Sequence, residues 1–227
     1  GRLGDFLGHA GKGAKIAKGE PGCLYYGFLA SHTRIRCREA YGDSDAVLAH
    51  LKNANSWYAE ALRMTQLDLF EVHAAEEALD VLAPKLEPFG VTMYRQTLGF
   101  SRLPDPRITT AVEVISRYVC KSIDDMYELE DVLPEYVQVS QEEPDCLVVN
   151  FSRFGNRLVC RESFTDGAAC LAHLKALRPM ITTALEESNA RYSVEIHGPE
   201  KEISLPAEAV KDFKHELFVL KKYACIV

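Results

Sequence analysis

The chain has 227 residues, a formal net charge of −7, an isoelectric point near 5.6 and 47% apolar residues. That balance argues against a nucleic-acid binder, which needs a clustered basic face, and no apolar run reaches the length of a membrane-spanning helix. The apolar share is ample for one large core or two small ones.

The opening stretch, "GRLGDFLGHAGKGAKIAKG", is rich in Gly and Lys. It reads as a weak helix over 4–18, because glycine costs helix stability. A phosphate-binding loop fails here: Phe6 stands where GxxxxGK[ST] needs its first Gly, and Gly13 where it needs Ser or Thr. The segment reads as one left after processing, downstream of a removed targeting peptide. A hairpin turning near Ser31-His32 comes next. It would set Cys23 opposite Ala40 and Cys37 opposite Tyr26, too far out of step for a disulfide. Seven cysteines without a CxxC pair fit free thiols. The expected location is an intracellular reducing compartment, either the cytoplasm or an organelle.

Alternation along the hairpin puts Leu24, Tyr26, Phe28, Ile35, Cys37, Glu39 and Tyr41 on one face. Arg34 and Arg38 take the other face, read as solvated or lining an interface. The next helix carries an apolar stripe of Val47, Leu51, Ala54, Tyr58 and Leu62. His50 lies at its border, and Trp57, seven residues on, would share its face. His73 ends a strand in "FEVHA" and reads as structural. "SRLPDPRITT" (101–110) reads as a linker, since Pro104 and Pro106 fit neither a helix interior nor a central strand.

The second half repeats the first. Glu20-Pro21-x-Cys23-Leu24 recurs as Glu143-Pro144-x-Cys146-Leu147, an offset of 123. "CREAYGDSDAVLAHLK" from Cys37 recurs as "CRESFTDGAACLAHLK" from Cys160. A repeat of that length means two whole domains rather than a solenoid, with boundaries at 1–104 and 105–227. Expected in the second copy are a strand over 112–121, a helix over 126–141 capped by Asp124-Asp125, and strands over 146–151 and 157–164 joined at Gly155-Asn156. A helix capped by Asp166 and running to 185, a strand over 191–197, a helix over 205–213 and a strand over 216–223 complete it. The order is α+β, a split βαβ or ferredoxin-like arrangement, in tandem. The first copy lacks the counterpart of the 112–121 strand. Its sheet edge would therefore recruit an upstream strand or a protein partner.

"EPGCLYYGF", "CREAY" and "LAHLKN" resemble the antibiotic-biosynthesis-monooxygenase (ABM) superfamily of dimeric α+β barrels. The resemblance implies that the two halves pack sheet to sheet as an intramolecular dimeric barrel. It also implies a cofactor-independent monooxygenase, since no dinucleotide or flavin motif is present, acting on a quinol or electron-rich aromatic that itself supplies electrons to oxygen. The other expectation is a non-catalytic ABM-fold binding or structural subunit of a larger complex.

Glu39 and Glu162 stand at the same place on otherwise apolar faces, the second shared with Leu147, Val149, Phe151, Leu158, Cys160 and Phe164. Each is either a general base in an apolar pocket or a carboxylate paired in the core. His50 and His173 either move protons or bond the core edge, and many ABM relatives carry a cavity-facing His on this helix. Tyr26, Tyr41, Trp57 and Phe164 are the candidate substrate-binding aromatics. A metal at His50, His73 and Glu39 lacks supporting spacing, so no metal or cofactor is expected. Haem degradation in some relatives uses an Asn, Trp and His set. Trp57 comes after His50 here and Met180 replaces it in the second copy, which speaks against haem chemistry. His197, in "VEIHG", reads as structural like His73.

Overall fold

Aromatic and apolar residues spaced along the first helix decide how the first half closes. A computed structural model describes residues 2–102 and 111–225. The chain divides into two compact units, one running to Met93 and taking up Leu220 onward, the other spanning Tyr94–Val219.

In the first unit, α1 (Arg2–Lys18) lays Phe6, Ala10 and Ala17 against Tyr26, Phe28 and Trp57. The hairpin of β1 (Cys23–Ser31) and β2 (Arg34–Tyr41) turns through His32-Thr33, with His32 in the left-handed region at φ 47°. The turn lies one residue later than expected, so the register changes: Cys23 faces Tyr41, Cys37 faces Phe28, and Tyr26 faces Glu39. The thiols stay apart, and the six described cysteines are free. A bulge between Cys23 and Tyr25 turns Leu24 out to 42% exposure, off the apolar face that strict alternation assigns it.

The expected continuous helix is two, α2 (Ser44–Asn53) and α3 (Asn55–Met64), broken at Ala54. Asn on both sides of Ala54 lowers helix propensity there, and Asn53 turns its amide to Glu20 instead. Asp43 caps α2 by accepting from the Ala46 N–H at 2.8 Å. Strand β3 (Glu71–Ala74), helix α4 (Glu76–Leu86) and a 3₁₀ turn (Glu87–Phe89) come next.

β4 (Thr92–Ser101), most of it in the second unit, pairs antiparallel with β6 (Cys146–Phe154). Gly99, at φ 151°, allows this approach, because a Cβ there would lie 2.1 Å from the Val149 carbonyl oxygen. The second unit continues with β5 (Val112–Val119), α5 (Ile123–Asp131), α6 (Leu133–Glu142), then β6, β7 (Arg157–Phe164), α7 (Gly167–Glu187), β8 (Arg191–Gly198), α8 (Glu200–Ala207) and β9 (Lys214–Cys225). Its strand order is β4-β6-β7-β5-β8-β9, antiparallel except for the β8–β9 pair. Val114, Tyr118, Phe151, Cys160 and Phe164 form its core with Met126, Leu129, Val137, Leu174 and Leu177 from α5, α6 and α7. Each large apolar side chain so buried contributes about 1.5–3 kcal/mol.

Three sequence expectations shift here. The first helix starts at Ile123, because Ser122 rather than Asp124 is the cap and forms a capping box with Asp125. It breaks at Val132 because Pro134 can sit only in the first turn of a new helix. The last helix precedes its expected place, starting right after Pro199. Most of the expected linker, residues 103–110, lies outside the described residues. No helix among them is long and apolar enough to cross a membrane.

β7 pairs on both sides, with β5 and β6. Among the described residues, β2 pairs with β1 and with no second strand. Hydrogen exchange reads this difference. Alternate amides of Arg34–Tyr41 are expected to exchange orders of magnitude faster than those of Arg157–Phe164. Equal protection in the two strands would mean that β2 is covered.

Candidate functional site

Both units place a histidine between two carboxylates, on segments whose residues recur in sequence. In the second unit β7 supplies Glu162, α7 supplies His173, and the turn after α6 supplies Glu143. His173 is fully buried, with Nδ1 2.6 Å from a Glu143 oxygen and Nε2 2.8 Å from Glu162 Oε1. Tyr136, from α6, donates its hydroxyl to the same Glu162 oxygen at 2.6 Å. The other oxygen, Oε2, is buried without a hydrogen-bond partner among the described residues. Phe164 packs on the imidazole, ring centres 4.8 Å apart, and Phe151 packs on Tyr136.

Burial alone would lower the His173 pKa, but the charges and hydrogen bonds of Glu162 and Glu143 outweigh it and hold it up at about 9. The ring is therefore an imidazolium at neutral pH, donating at both nitrogens. Its folded pKa lies above the free value near 6.5. The stability it contributes is complete below about pH 6.5 and is lost as pH rises through about 9. Urea unfolding of the chelator-treated protein between pH 6 and 10 checks this. The expected decline near pH 9 should be absent in His173→Leu.

In the first unit β2 supplies Glu39, α2 supplies His50, and Glu20 precedes β1. His50 is fully buried, with Nδ1 2.6 Å from Glu20, while its Nε2 meets the Tyr58 hydroxyl at 3.2 Å and lies 4.0 Å from Glu39. Glu39 accepts from Tyr58 at 2.9 Å, from Tyr41 at 2.7 Å and from the Cys37 thiol at 3.2 Å. Burial first, then the Glu39 charge, pushes the Tyr41 and Tyr58 pKa values well up, so both stay protonated donors.

The two networks differ in access. Leu158, Cys160, Glu162 and Phe164 are buried, whereas Ile35, Glu39 and Tyr41 are half-buried and Cys37 is exposed. β5 lies beside β7 in the second unit, and nothing described plays that part for β2.

Of the aromatics expected to bind substrate, Tyr41 joins the first network and Phe164 packs against the second histidine. Tyr26 is buried 5.3 Å from His50. Trp57 does not share a face with His50, because the break at Ala54 rotates α3. Its indole N–H donates to the His9 carbonyl at 2.9 Å and its ring stacks on His9, which places it in the seam with α1. Tyr58 takes the position beside His50 instead.

Glu20 and Glu143 were legible as a repeated "EPxC". Tyr58 and Tyr136 were not, because the offset of 123 sets Tyr58 against Ile181 and Tyr136 against Gly13. Each unit recruits its phenol from a differently placed helix, α3 in the first and α6 in the second. A Cβ on Gly13 would lie 2.8 Å from Trp57, so the space that Tyr136 would need is already filled. His73 and His197 turn to Glu71 and Glu195, at 3.6 and 3.1 Å.

No family model matches the chain, and no curated protein sequence matches it. Solved structures do. A protein described as a "putative monooxygenase" from Lactobacillus acidophilus NCFM is 12% identical over 99% of this chain and 90% of its own, with a TM-score of 0.56. Another so described, from Fusobacterium nucleatum, is 12% identical over 97% of this chain and 87% of its own, with a TM-score of 0.60. MupZ from Pseudomonas fluorescens aligns with 50% of this chain and 92% of its own at 22% identity and a TM-score of 0.44. At 12% identity the likeness is one of fold: this chain has the α+β fold of those first two proteins.

Proposed function

We propose that the chain is a tandem ABM-like protein, copies 1–104 and 105–227, whose first copy oxygenates a quinol-like or otherwise electron-rich aromatic without a cofactor. The observation that supports this reading is the solvent-accessible row Cys37, Glu39 and Tyr41, backed by Tyr58 and the buried His50–Glu20 pair. Glu39 is the general base, within reach of solvent at 20% side-chain exposure. Tyr58 bridges it to His50, and Glu20 fixes the imidazole, so a proton taken by Glu39 has a path inward. Tyr41 orients the carboxylate.

With an anthrone-type substrate the balance closes. Glu39 takes a proton from the activated CH₂, the carbanion gives an electron to O₂, and the two radicals combine into a C–O bond. The O–O bond then breaks and one oxygen leaves as water, so that CH₂ and O₂ become C=O and H₂O. The fully enclosed His173–Glu162 pair supports a structural role for the second copy.

The test is oxygen uptake with anthrone as probe, run under ¹⁸O₂. One labelled oxygen in the quinone product, with uptake well above the uncatalysed rate, supports the reading. Uptake at the background rate, or product labelled only from water, overturns it.

A further inference from the structure

We infer that Glu143, Cys146 and His173 form a binding site for a divalent transition-metal ion of the zinc type. The site goes beyond the proposed oxygenase chemistry and lies in the other copy. A Glu143 oxygen, the Cys146 sulfur and a His173 ring nitrogen all lie within 4.8 Å of one another. Sulfur, nitrogen and oxygen in one set favour a borderline-soft ion such as Zn²⁺ over Mg²⁺ or Ca²⁺.

The surroundings resemble a ligand shell already braced. Glu162 holds His173 Nε2 at 2.8 Å, which turns Nδ1 toward Glu143, the carboxylate–histidine arrangement that orients metal-binding imidazoles. Tyr136 fixes Glu162 in turn. Arg102 donates to the carbonyls of Gln141, Glu143 and Cys146, so the loop carrying two of the donors is held from behind. Among the described residues, the Cys146 thiol has a distant acceptor, the Val148 carbonyl at 3.9 Å. Glu143 is 29% exposed in its side chain, leaving room for a water as fourth ligand.

Glu143 and His173 Nδ1 are hydrogen-bonded across 2.6 Å. A zinc ion bonds each donor at about 2.0–2.3 Å, so Glu143 must swing outward slightly, as a partly solvated side chain can. The first copy keeps all three residue types as Glu20, Cys23 and His50. Among the described residues, only the second-copy set brings its donors this close.

The full chain, freed of metal, is titrated with Co²⁺ alone and then Zn²⁺ alone. Expected is a thiolate-to-cobalt charge-transfer band with the visible bands of a four-coordinate site, bleached by Zn²⁺. Cys146→Ser should abolish that band while Cys23→Ser keeps it. Glu143→Gln, at a partly exposed position that tolerates change, should weaken binding about 10-fold or more, and it decides the matter if Cys146→Ser fails to fold. Absence of the band in the unaltered chain, or a band unchanged in Cys146→Ser or in Glu143→Gln, overturns the site.

Discussion

His173→Leu is expected to destabilise the metal-free protein by about 3–5 kcal/mol, because it strands the buried Glu162 carboxylate without its counter-charge. Glu162 is 2% exposed and His173 is fully buried, so neither group can turn to water when its partner is gone. A compensated variant separates lost charge pairing from lost packing. His173→Leu combined with Glu162→Leu removes both ions and should recover most of the stability, since replacing a buried pair by apolar side chains is often neutral. Urea midpoints of the two variants check it. A single variant as stable as the parent would overturn the charge-pairing account.

Trp57→Ala should cost about 3–5 kcal/mol and leave the chemistry of the folded fraction unchanged. The indole is 5% exposed and sits among Phe6, His9, Phe28 and Tyr58. Truncation would open a cavity where α1 meets α3 and would free the His9 carbonyl that the indole N–H satisfies. Thermal unfolding measures the loss, and oxygen uptake per folded molecule measures the rest. A raised KM without loss of stability would return Trp57 to the substrate-binding role that its sequence position suggests.

Local signals carried the fold where they were bounded on both sides. β7 was legible to the residue because Gly155-Asn156 opens it and Asp166, capping the next helix, closes it. The break at Val132 was legible in principle from Pro134, but the apolar pattern continues across it and hides the stop. The hairpin register depended on His32 accepting a left-handed backbone, which nothing in its neighbours announces. Glu39, Glu162, His50 and His173 stood out because they were duplicated. Tyr58 and Tyr136 did not, since the offset of 123 sets neither against another tyrosine. The difference in access was also hidden. It depends on what lies beside a strand in space, and β2 and β7 look alike in sequence.

The proposed division of labour between the two units is tested most directly by oxygen uptake with anthrone in Glu39→Gln and Glu162→Gln, each corrected for folded fraction. Both changes keep the side-chain shape and remove the base. Loss of a positioned general base costs about 10²–10⁴-fold in rate. Glu39→Gln is expected to fall by that much, while Glu162→Gln turns over at the parent rate and unfolds at lower urea. Parent-like turnover in Glu39→Gln, or an equal loss in both variants, would contradict the account.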